Sequence, residues 1–273
     1  MDSARLAQSG TRGLGMTETN HARAATRKFA SRTLAGSDIL LIGGSGGIGS
    51  ALVAQLVAQG VDTVIVASHQ PATGEAALPN VQSEFVDVTQ MASVQALAAR
   101  LQGRNISAVI NCAGVNGNSK LFTDGDCGRA RREMDVNYFG LLHVGLVFGP
   151  LLAAHAGGTL MTVLSFLSFV NLPALATYSA SKAAAHSLNQ ALRTELRADG
   201  VRVCGVYPTA VDTSMSADQQ GAKMSPQDLA LAMVKCLQSD TEDLFPGEAA
   251  DTHKAWLRDP RGFQQTMADS SAR

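Results

Sequence analysis

The chain has 273 residues, 45% of them hydrophobic, and a formal net charge of −1. This is enough for one domain with a large core, and it provides no positive field for binding nucleic acid. Charged residues make up 16%, against roughly 25% in typical soluble domains. Four cysteines without CxxC or metal-type spacing indicate reduced thiols. Since no apolar signal-peptide core follows an early methionine, we expect a cytoplasmic location.

The first 36 residues differ in composition from the rest. They hold six Arg or Lys against Asp2 and Glu18, with many Ser, Thr and Gly and no apolar period. Such a segment cannot bury a face, so we expect an unstructured extension followed by a single catalytic domain over residues 37–273. An organelle transit peptide and a start at Met16 are the alternatives.

From residue 38 onward, short apolar strands alternate with helices. Strands are predicted at 38–42, 63–67, 83–87, 107–111, 159–164 and 201–207. Helices are predicted up to residue 58, over 91–101, 129–154 and 178–198, and after the capping pair Ser225-Pro226. Strands without polar alternation, separated by helices, predict an α/β fold with one doubly wound (Rossmann-type) parallel sheet and helices on both faces. Ligands of such folds bind at the carboxyl ends of the strands.

The deficit of charge is local. Residues 136–181 contain no Asp, Glu, Lys or Arg. Their longest smooth apolar run, residues 141–154, already contains His143 and Pro150. A run of that length is more typical of a buried core helix than of a membrane span, so we predict no membrane association.

A glycine-rich loop follows the first strand. Residues 43–49 read GGSGGIG, which places GxGxxG between a strand and a helix. Glycine lets the backbone approach a pyrophosphate, and the first amides of the helix then stabilise it. We therefore predict dinucleotide binding by Gly43, Ser45, Gly46, Gly47, Ile48 and Gly49.

A Tyr and a Lys lie four residues apart, at Tyr178 and Lys182, and share one face of a predicted helix. An ammonium group beside a phenol favours the phenolate, so we expect Lys182 to lower the pKa of Tyr178. A phenol with that property suits proton transfer near neutral pH. A surface Tyr–Lys pair is the alternative for this motif taken alone.

Other motif residues follow the strands. The sequence Asn111-Cys-Ala-Gly114 ends the fourth strand, Asn137 lies in the next helix, and Ser165 ends the fifth strand. With the glycine loop and the Tyr–Lys pair, this set resembles the short-chain dehydrogenase/reductase family from about residue 37 to the C-terminus. The resemblance implies an oxidoreductase in which Tyr178 is the general acid/base and Ser165 orients the substrate carbonyl. It further implies that Lys182 lowers the pKa of Tyr178 and holds the nicotinamide ribose, and that Asn137 holds a water linking Lys182 to solvent.

The resemblance also implies the cofactor and its contacts. In this family an acid at the end of the second strand favours NAD, but Ser68 and His69 stand there, so we expect NADP, with NAD as the alternative. Against NADP, Gly46 occupies a position where NADP-preferring members often carry a basic residue. The further cofactor residues implied are Asp87, Val88, Asn111, Ala113, Gly114, Tyr178, Lys182, Pro208, Val211 and Thr213.

Three positions depart from the family pattern. Ile42 replaces a Thr before the glycine loop, Cys112 replaces the second Asn of NNAG, and Thr209 replaces the Gly of a Pro-Gly pair. None removes a catalytic group. We expect Cys112 to be a packed, inert thiol.

Apolar side chains dominate the segment between Ser165 and Tyr178. We expect about half of them to pack in the core and the rest to form the wall of an apolar pocket, with residues 214–221 as a short lid. The side chains concerned are Phe166, Leu167, Phe169, Leu172 and Leu175. The predicted function is reduction of an apolar ketone or aldehyde, or oxidation of the matching secondary alcohol.

Partners follow from the same features. No metal site is predicted, because the histidines share no ligand spacing. The helices at 129–154 and 178–198 are apolar beyond the needs of one sheet face, and in the family they pair subunits, so a homodimer or homotetramer is expected. A catalytically silent dinucleotide-binding regulator or scaffold with the same fold is the alternative function.

Overall fold

The computed structural model describes residues 33–70, 80–117, 121, 127–154 and 158–271. Most of the predicted N-terminal extension, residues 1–32, lies outside the described residues.

Seven parallel strands form one sheet in the order β3-β2-β1-β4-β5-β6-β7. The strands are β1 (Asp38–Ile42), β2 (Thr63–Ser68), β3 (Val81–Phe85), β4 (Ile106–Asn111), β5 (Thr159–Val163), β6 (Arg202–Val206) and β7 (Asp243–Leu244). The helices are α1 (Gly47–Ala58), α2 (Met91–Arg100), α3 (Cys127–Met134), α4 (Gly140–Ala154), α5 (Ala176–Arg197), α6 (Pro226–Leu237), α7 (Ala249–Arg258) and α8 (Pro260–Ser271). The strand order reverses between β1 and β4, which is where an open α/β sheet binds its ligands.

Both faces of the sheet are buried, as the predicted fold class requires. On β1, Leu40 and Ile42 pack towards α2, α4 and α5, while Ile39 and Leu41 pack towards α1 and α6. All four side chains are fully buried. This explains why the strand is apolar at every position and not at alternate ones. The doubly wound fold is thereby confirmed.

Several predicted boundaries were wrong. The third strand runs over Val81–Phe85 and not over 83–87, because it pairs with β2 from Val64↔Val81 to Ser68↔Phe85 and the chain then leaves the sheet. The predicted helix at 129–154 is two helices joined by a π-helical segment, Asp135–Phe139. Strand β7 and helices α7 and α8 were not predicted.

One helical stretch among the described residues, Cys127–Ala154, is long and apolar enough to cross a membrane by length and composition alone. Half of its most apolar window is buried inside the protein. A core helix packed against a sheet passes the same test.

Candidate active site

The glycine loop forms one wall of a cleft of about 480 Å³ at the carboxyl ends of β1, β2 and β4. Gly43 has a φ of +80°, and a Cβ there would lie 2.6 Å from the Ala113 nitrogen. A Cβ on Gly49 would lie 2.5 Å from the Gly43 oxygen. The loop is therefore too tight for side chains at these positions. Helix α1 begins at the cleft, and no side chain caps its N-terminus.

Most of the predicted cofactor residues line this cleft. They are Gly43, Ser45, Gly46, Gly47, Ile48, Gly49, Ser68, His69, Asp87, Val88, Ala113, Gly114 and Thr213. Gln70, Thr89 and Arg132 also line it and were not predicted.

The cleft suits a dinucleotide. Ser68 is buried, yet its Oγ has no hydrogen-bond partner among the described residues. Because a buried hydroxyl is costly to leave unpaired, Ser68 fits a site completed by a polar ligand group. Asp87 Oδ1 accepts hydrogen bonds from the Thr89 amide at 3.0 Å and the Thr89 hydroxyl at 2.7 Å, which fixes the turn at the edge of the cleft.

Asn111 does not line the cleft, although it was predicted to contact the cofactor. Its side chain is buried, and Oδ1 accepts a hydrogen bond from the Ala113 amide at 3.1 Å. Asn111 therefore shapes the turn that presents Ala113 and Gly114.

A second, more apolar cavity of about 310 Å³ adjoins the cleft and shares Ile48, Cys112 and Gly114 with it. Ser165, Tyr178 and Lys182 all line this cavity. The structure thus brings together three of the four predicted catalytic residues.

The three side chains are held by their local structure. Ser165 precedes a short 3₁₀ turn, Phe166–Ser168, and its Oγ accepts a hydrogen bond from the Leu167 amide at 3.1 Å. Lys182 is buried, and its Nζ donates to the Val163 carbonyl at 3.0 Å. The same Nζ lies 5.8 Å from the centroid of the Tyr178 ring.

Asn137, the fourth predicted catalytic residue, lines neither cavity. It lies in the π-helical segment, where Oδ1 accepts from the Val115 amide at 2.9 Å and Nδ2 donates to the Val115 carbonyl at 2.9 Å. Nδ2 also donates to Ser181 Oγ at 2.9 Å. Asn137 is nevertheless close to Lys182, because a Cβ on Gly114 would lie 3.3 Å from both Asn137 Oδ1 and Lys182 Nζ.

The pKa of Tyr178 is raised, contrary to the expected lowering. The pKa of Tyr178 is raised to about 12, chiefly by burial; the hydrogen bond with the Ser165 hydroxyl acts to lower it, and the Glu133 carboxylate acts to raise it. Burial also lowers the pKa of Lys182 to about 8. Both groups are shifted towards their neutral forms, and desolvation is the largest cause of each shift.

Cys112 was predicted to be a packed, inert thiol, but it is only partly buried and lines both cavities. Burial raises the pKa of Cys112 to about 12, so its reactive thiolate is scarce near neutral pH. Cys204 and Cys236 are also thiols, with their sulfur atoms 3.2 Å apart.

The predicted pocket wall is largely present. Phe166, Leu167, Leu172 and Leu175 line the second cavity. Phe169 does not; its ring packs 5.0 Å from that of Tyr207 and 4.8 Å from that of His186. Two residues predicted to contact the cofactor, Pro208 and Val211, line this second cavity and not the cleft. Thr213, also predicted to contact the cofactor, lines both.

Other parts of the wall were not predicted as pocket residues. Thr252 of α7 and Met267 of α8 reach the second cavity, as do Thr209, Ala210 and Asn116. From the predicted lid, Met215, Ser216 and Gln219 line it. Lys182 is the one Asp, Glu, Lys or Arg among the described residues that line this cavity. No group of three His, Cys, Asp or Glu side chains suited to a metal ion occurs in the described part of the chain.

A dinucleotide cleft that opens onto a Ser–Tyr–Lys cavity defines a nicotinamide-dependent oxidoreductase. The family model described as short chain dehydrogenase matches residues 37–223. The chain therefore belongs to the short-chain dehydrogenase family, whose members bind NAD or NADP and act on small molecules.

Individual relatives agree with this assignment. An uncharacterized oxidoreductase of Staphylococcus saprophyticus is 32% identical over 211 residues, which is 73% of this chain and 90% of the relative. The uncharacterized oxidoreductase DltE of Bacillus subtilis is 32% identical over 197 residues, covering 67% of this chain and 76% of the relative. A short chain dehydrogenase from Burkholderia cenocepacia, solved in complex with NADP, superposes with a TM-score of 0.81 at 30% identity, over 86% of this chain and 99% of that one.

Proposed function

We propose that this oxidoreductase uses NADP(H) to interconvert a neutral, apolar ketone or aldehyde and the matching alcohol, with Tyr178 as the general acid/base. The observation that carries the proposal is the position of Ser165, Tyr178 and Lys182 in an apolar cavity that meets the dinucleotide cleft at Cys112 and Gly114.

The chemistry divides between the cofactor and the chain. Bound nicotinamide supplies or accepts the hydride. In the direction of reduction, the Tyr178 hydroxyl gives its proton to the carbonyl oxygen, and the Ser165 hydroxyl donates a hydrogen bond that orients this oxygen. The raised pKa of Tyr178 keeps the phenol protonated near neutral pH, as a proton donor requires. Lys182 holds the nicotinamide ribose and, below its pKa of about 8, carries a positive charge beside the phenol.

Replacing Tyr178 tests this mechanism. In Y178F we expect turnover to fall by a factor of about 10² to 10⁴, the usual contribution of a general acid/base. The dissociation constant for NADPH, measured by its fluorescence, should be unchanged. Turnover is followed by NADPH absorbance over a panel of neutral ketones and alcohols. Y138F, which removes a hydroxyl from the π-helical segment, is the control and should keep full activity. Retained turnover in Y178F would overturn the mechanism.

The preference for NADP rests on the end of β2. Ser68 and His69 place two hydrogen-bonding side chains in the cleft and no carboxylate to repel a 2′-phosphate. The NADP complex of the Burkholderia cenocepacia relative agrees with this preference. We expect tighter binding of NADPH than of NADH, and a reversal of this order in S68D, which introduces the missing carboxylate. Tighter binding of NADH by the unmodified protein would contradict the proposal.

Assembly is proposed from the long helices. Two large apolar side chains of this helical stretch face solvent in the single chain: Phe139 is 43% exposed and Leu146 is 54% exposed. Covering them is consistent with a homodimer or homotetramer. Sedimentation at micromolar concentration should give an oligomer; a monomer alone would refute it.

A further inference from the structure

The segment between the two cavities is bound by side chains on one face of α3 and of the π-helical segment that continues it. Asn137, Glu133 and Arg129 are spaced four residues apart, and each bonds the backbone of residues 115–117. Asn137 bonds both the amide and the carbonyl of Val115, each at 2.9 Å. Glu133 Oε1 accepts from the Gly117 amide at 2.7 Å, and Arg129 Nη1 donates to the Gly117 carbonyl at 3.2 Å. Side chains on one face of this helical stretch thus satisfy backbone groups of Val115 and Gly117.

Residues 114–117 separate the dinucleotide cleft from the second cavity, which is the proposed substrate cavity. Gly114 lines both, Val115 lines the cleft, and Asn116 lines the substrate cavity. A shift of this segment would change both cavities at once. The side chains that bind it therefore influence where cofactor and substrate meet.

Glu133 differs from the other two because it is an acid inside the protein. It is 1% exposed, and its Oε2 is buried without a hydrogen-bond partner among the described residues. Burying a carboxylate with one oxygen unpaired is unfavourable, and a Gln would make the same bond to Gly117 without the charge. The bond to the loop therefore explains the position of Glu133 but not its charge.

The charge acts on the catalytic phenol. Three influences on Tyr178 are burial, the Ser165 hydroxyl and the Glu133 carboxylate, and of the two side chains Glu133 is the one that disfavours the phenolate. From its own helix, Tyr178 faces Lys182. From the end of β4, the Cys112 thiol interacts with Lys182 and is protonated near neutral pH. Among the described residues, the acid on α3 that affects the phenol is Glu133, and the base on α5 beside it is Lys182. Their charges act on the Tyr178 phenolate in opposite directions.

We propose that Glu133 is a positioning residue that fixes residues 114–117 between the two cavities through its bond to the Gly117 amide. Its carboxylate also disfavours the phenolate of Tyr178, as a smaller influence than burial. The inference rests on the proposed role of Tyr178 for its bearing on catalysis. The effect of the Glu133 charge on the pKa of Tyr178 can be measured without any enzyme turnover.

The first experiment titrates Tyr178 directly in the cofactor-free protein. Tyrosine labelled with ¹³C at the ring carbon bearing the hydroxyl is followed by NMR against pH, and Y178F assigns the signal among the three tyrosines. In E133Q, Tyr178 should titrate at lower pH than in the unmodified protein. D135N removes an equal charge from an exposed position two residues along and should leave the titration unchanged. An unshifted titration in E133Q rules out the electrostatic effect of Glu133, even if Y178F shows that Tyr178 is the general acid/base.

The second experiment measures alcohol oxidation, which needs the phenolate. Since a fall of one pKa unit raises the phenolate fraction about tenfold below the pKa, E133Q should oxidise alcohols about two- to tenfold faster near neutral pH, with its pH profile moved to lower pH. A purely structural role predicts slower turnover and an unmoved profile. If the titration shifts but no alcohol or ketone is turned over by any variant, the proposed function fails while the electrostatic inference stands.

A third comparison tests the positioning effect. E133Q keeps an oxygen for the Gly117 amide, so its dissociation constant for NADPH should stay within about twofold of the unmodified value, whereas E133A loses the bond and should bind at least about fivefold more weakly. Equal affinities in E133Q and E133A would refute this part of the inference. Urea unfolding of both variants establishes that they are folded.

Discussion

Replacing Lys182 with Met should make the protein more stable at neutral pH. Burial lowers the pKa of Lys182 from 10.5 to about 8 in the folded protein. At about 1.4 kcal/mol per pKa unit, keeping the ammonium charged in this site destabilises the fold by about 3 kcal/mol below pH 8. Met has a similar length and carries no charge, but it loses the hydrogen bond from Nζ to the Val163 carbonyl, worth about 1 kcal/mol. The expected net gain in the free energy of unfolding at pH 7 is about 2 kcal/mol.

The pH dependence identifies the cause. Between the folded pKa of about 8 and the unfolded value of 10.5, unfolding takes up a proton at Lys182. The unmodified protein therefore gains stability relative to K182M as the pH rises through this window, and loses the relative gain as the pH falls. By pH 9.5 the advantage of K182M should have largely disappeared. Tyr178 contributes little at either pH, because its pKa shifts from 10.0 in the unfolded chain to about 12 in the folded protein, above the range of the assay.

The assay is urea unfolding of the cofactor-free protein at pH 7 and pH 9.5. K254M is the matched control, because the Lys254 side chain is 67% exposed and its pairing with Asp251 is a surface ion pair. Its effect should stay within about 0.5 kcal/mol at both values of pH. The reasoning is refuted if K182M is less stable at pH 7, or if its difference from the unmodified protein does not change with pH.

Two further substitutions test the glycine loop and the core. In G49A a Cβ would lie 2.5 Å from both the Gly43 oxygen and the Gly44 Cα, so the loop would have to move. Although Ala favours the helix, NADPH fluorescence should show binding at least about tenfold weaker. Unchanged affinity would contradict the geometry. Arg202 is fully buried and donates to the carbonyls of Cys236 and Leu237 at the end of α6, each at 3.0 Å. Because R202M leaves these carbonyls without their donor, urea unfolding should show a loss of about 3 kcal/mol or more, and a loss below about 1 kcal/mol would show that water replaces the guanidinium.

The sequence was sufficient for the fold and for the motif-bearing part of the site. Uniformly apolar strands predicted the parallel sheet, and the residues after each strand predicted most of the dinucleotide cleft. The third strand was misplaced because Val86, which is buried, lies just beyond the strand that ends at Phe85. An apolar residue in the sequence predicts burial, but a buried residue such as Val86 need not belong to a strand.

The rest of the pocket depends on how distant segments fold back. Thr252 and Met267 reach the cavity because α7 and α8 return to it, with the rings of Phe263 and Phe166 5.6 Å apart. Nothing in the local sequence of these helices marks them as pocket walls. Glu133 carried a usable signal, since it lies one helical turn before Asn137 on the same face. Because Glu133 lies in a run rich in Arg, however, its sequence context is that of an acid on a solvent-exposed helix face.

The direction of the pKa shift at Tyr178 shows what the spacing of a motif leaves out. A spacing of four residues predicts an ammonium near a phenol, but the energy of that pair depends on the medium around it. Residues 136–181 contain no Asp, Glu, Lys or Arg, and this segment supplies Ser165 and the apolar wall next to Tyr178. In so dry a site, desolvation is the first cause of both shifts, and it neutralises the phenol and the ammonium alike. Under the proposed role of Tyr178, a phenol that keeps its proton near neutral pH suits reduction of a carbonyl, whereas oxidation of an alcohol needs the phenolate, which a positive charge near the ring would favour.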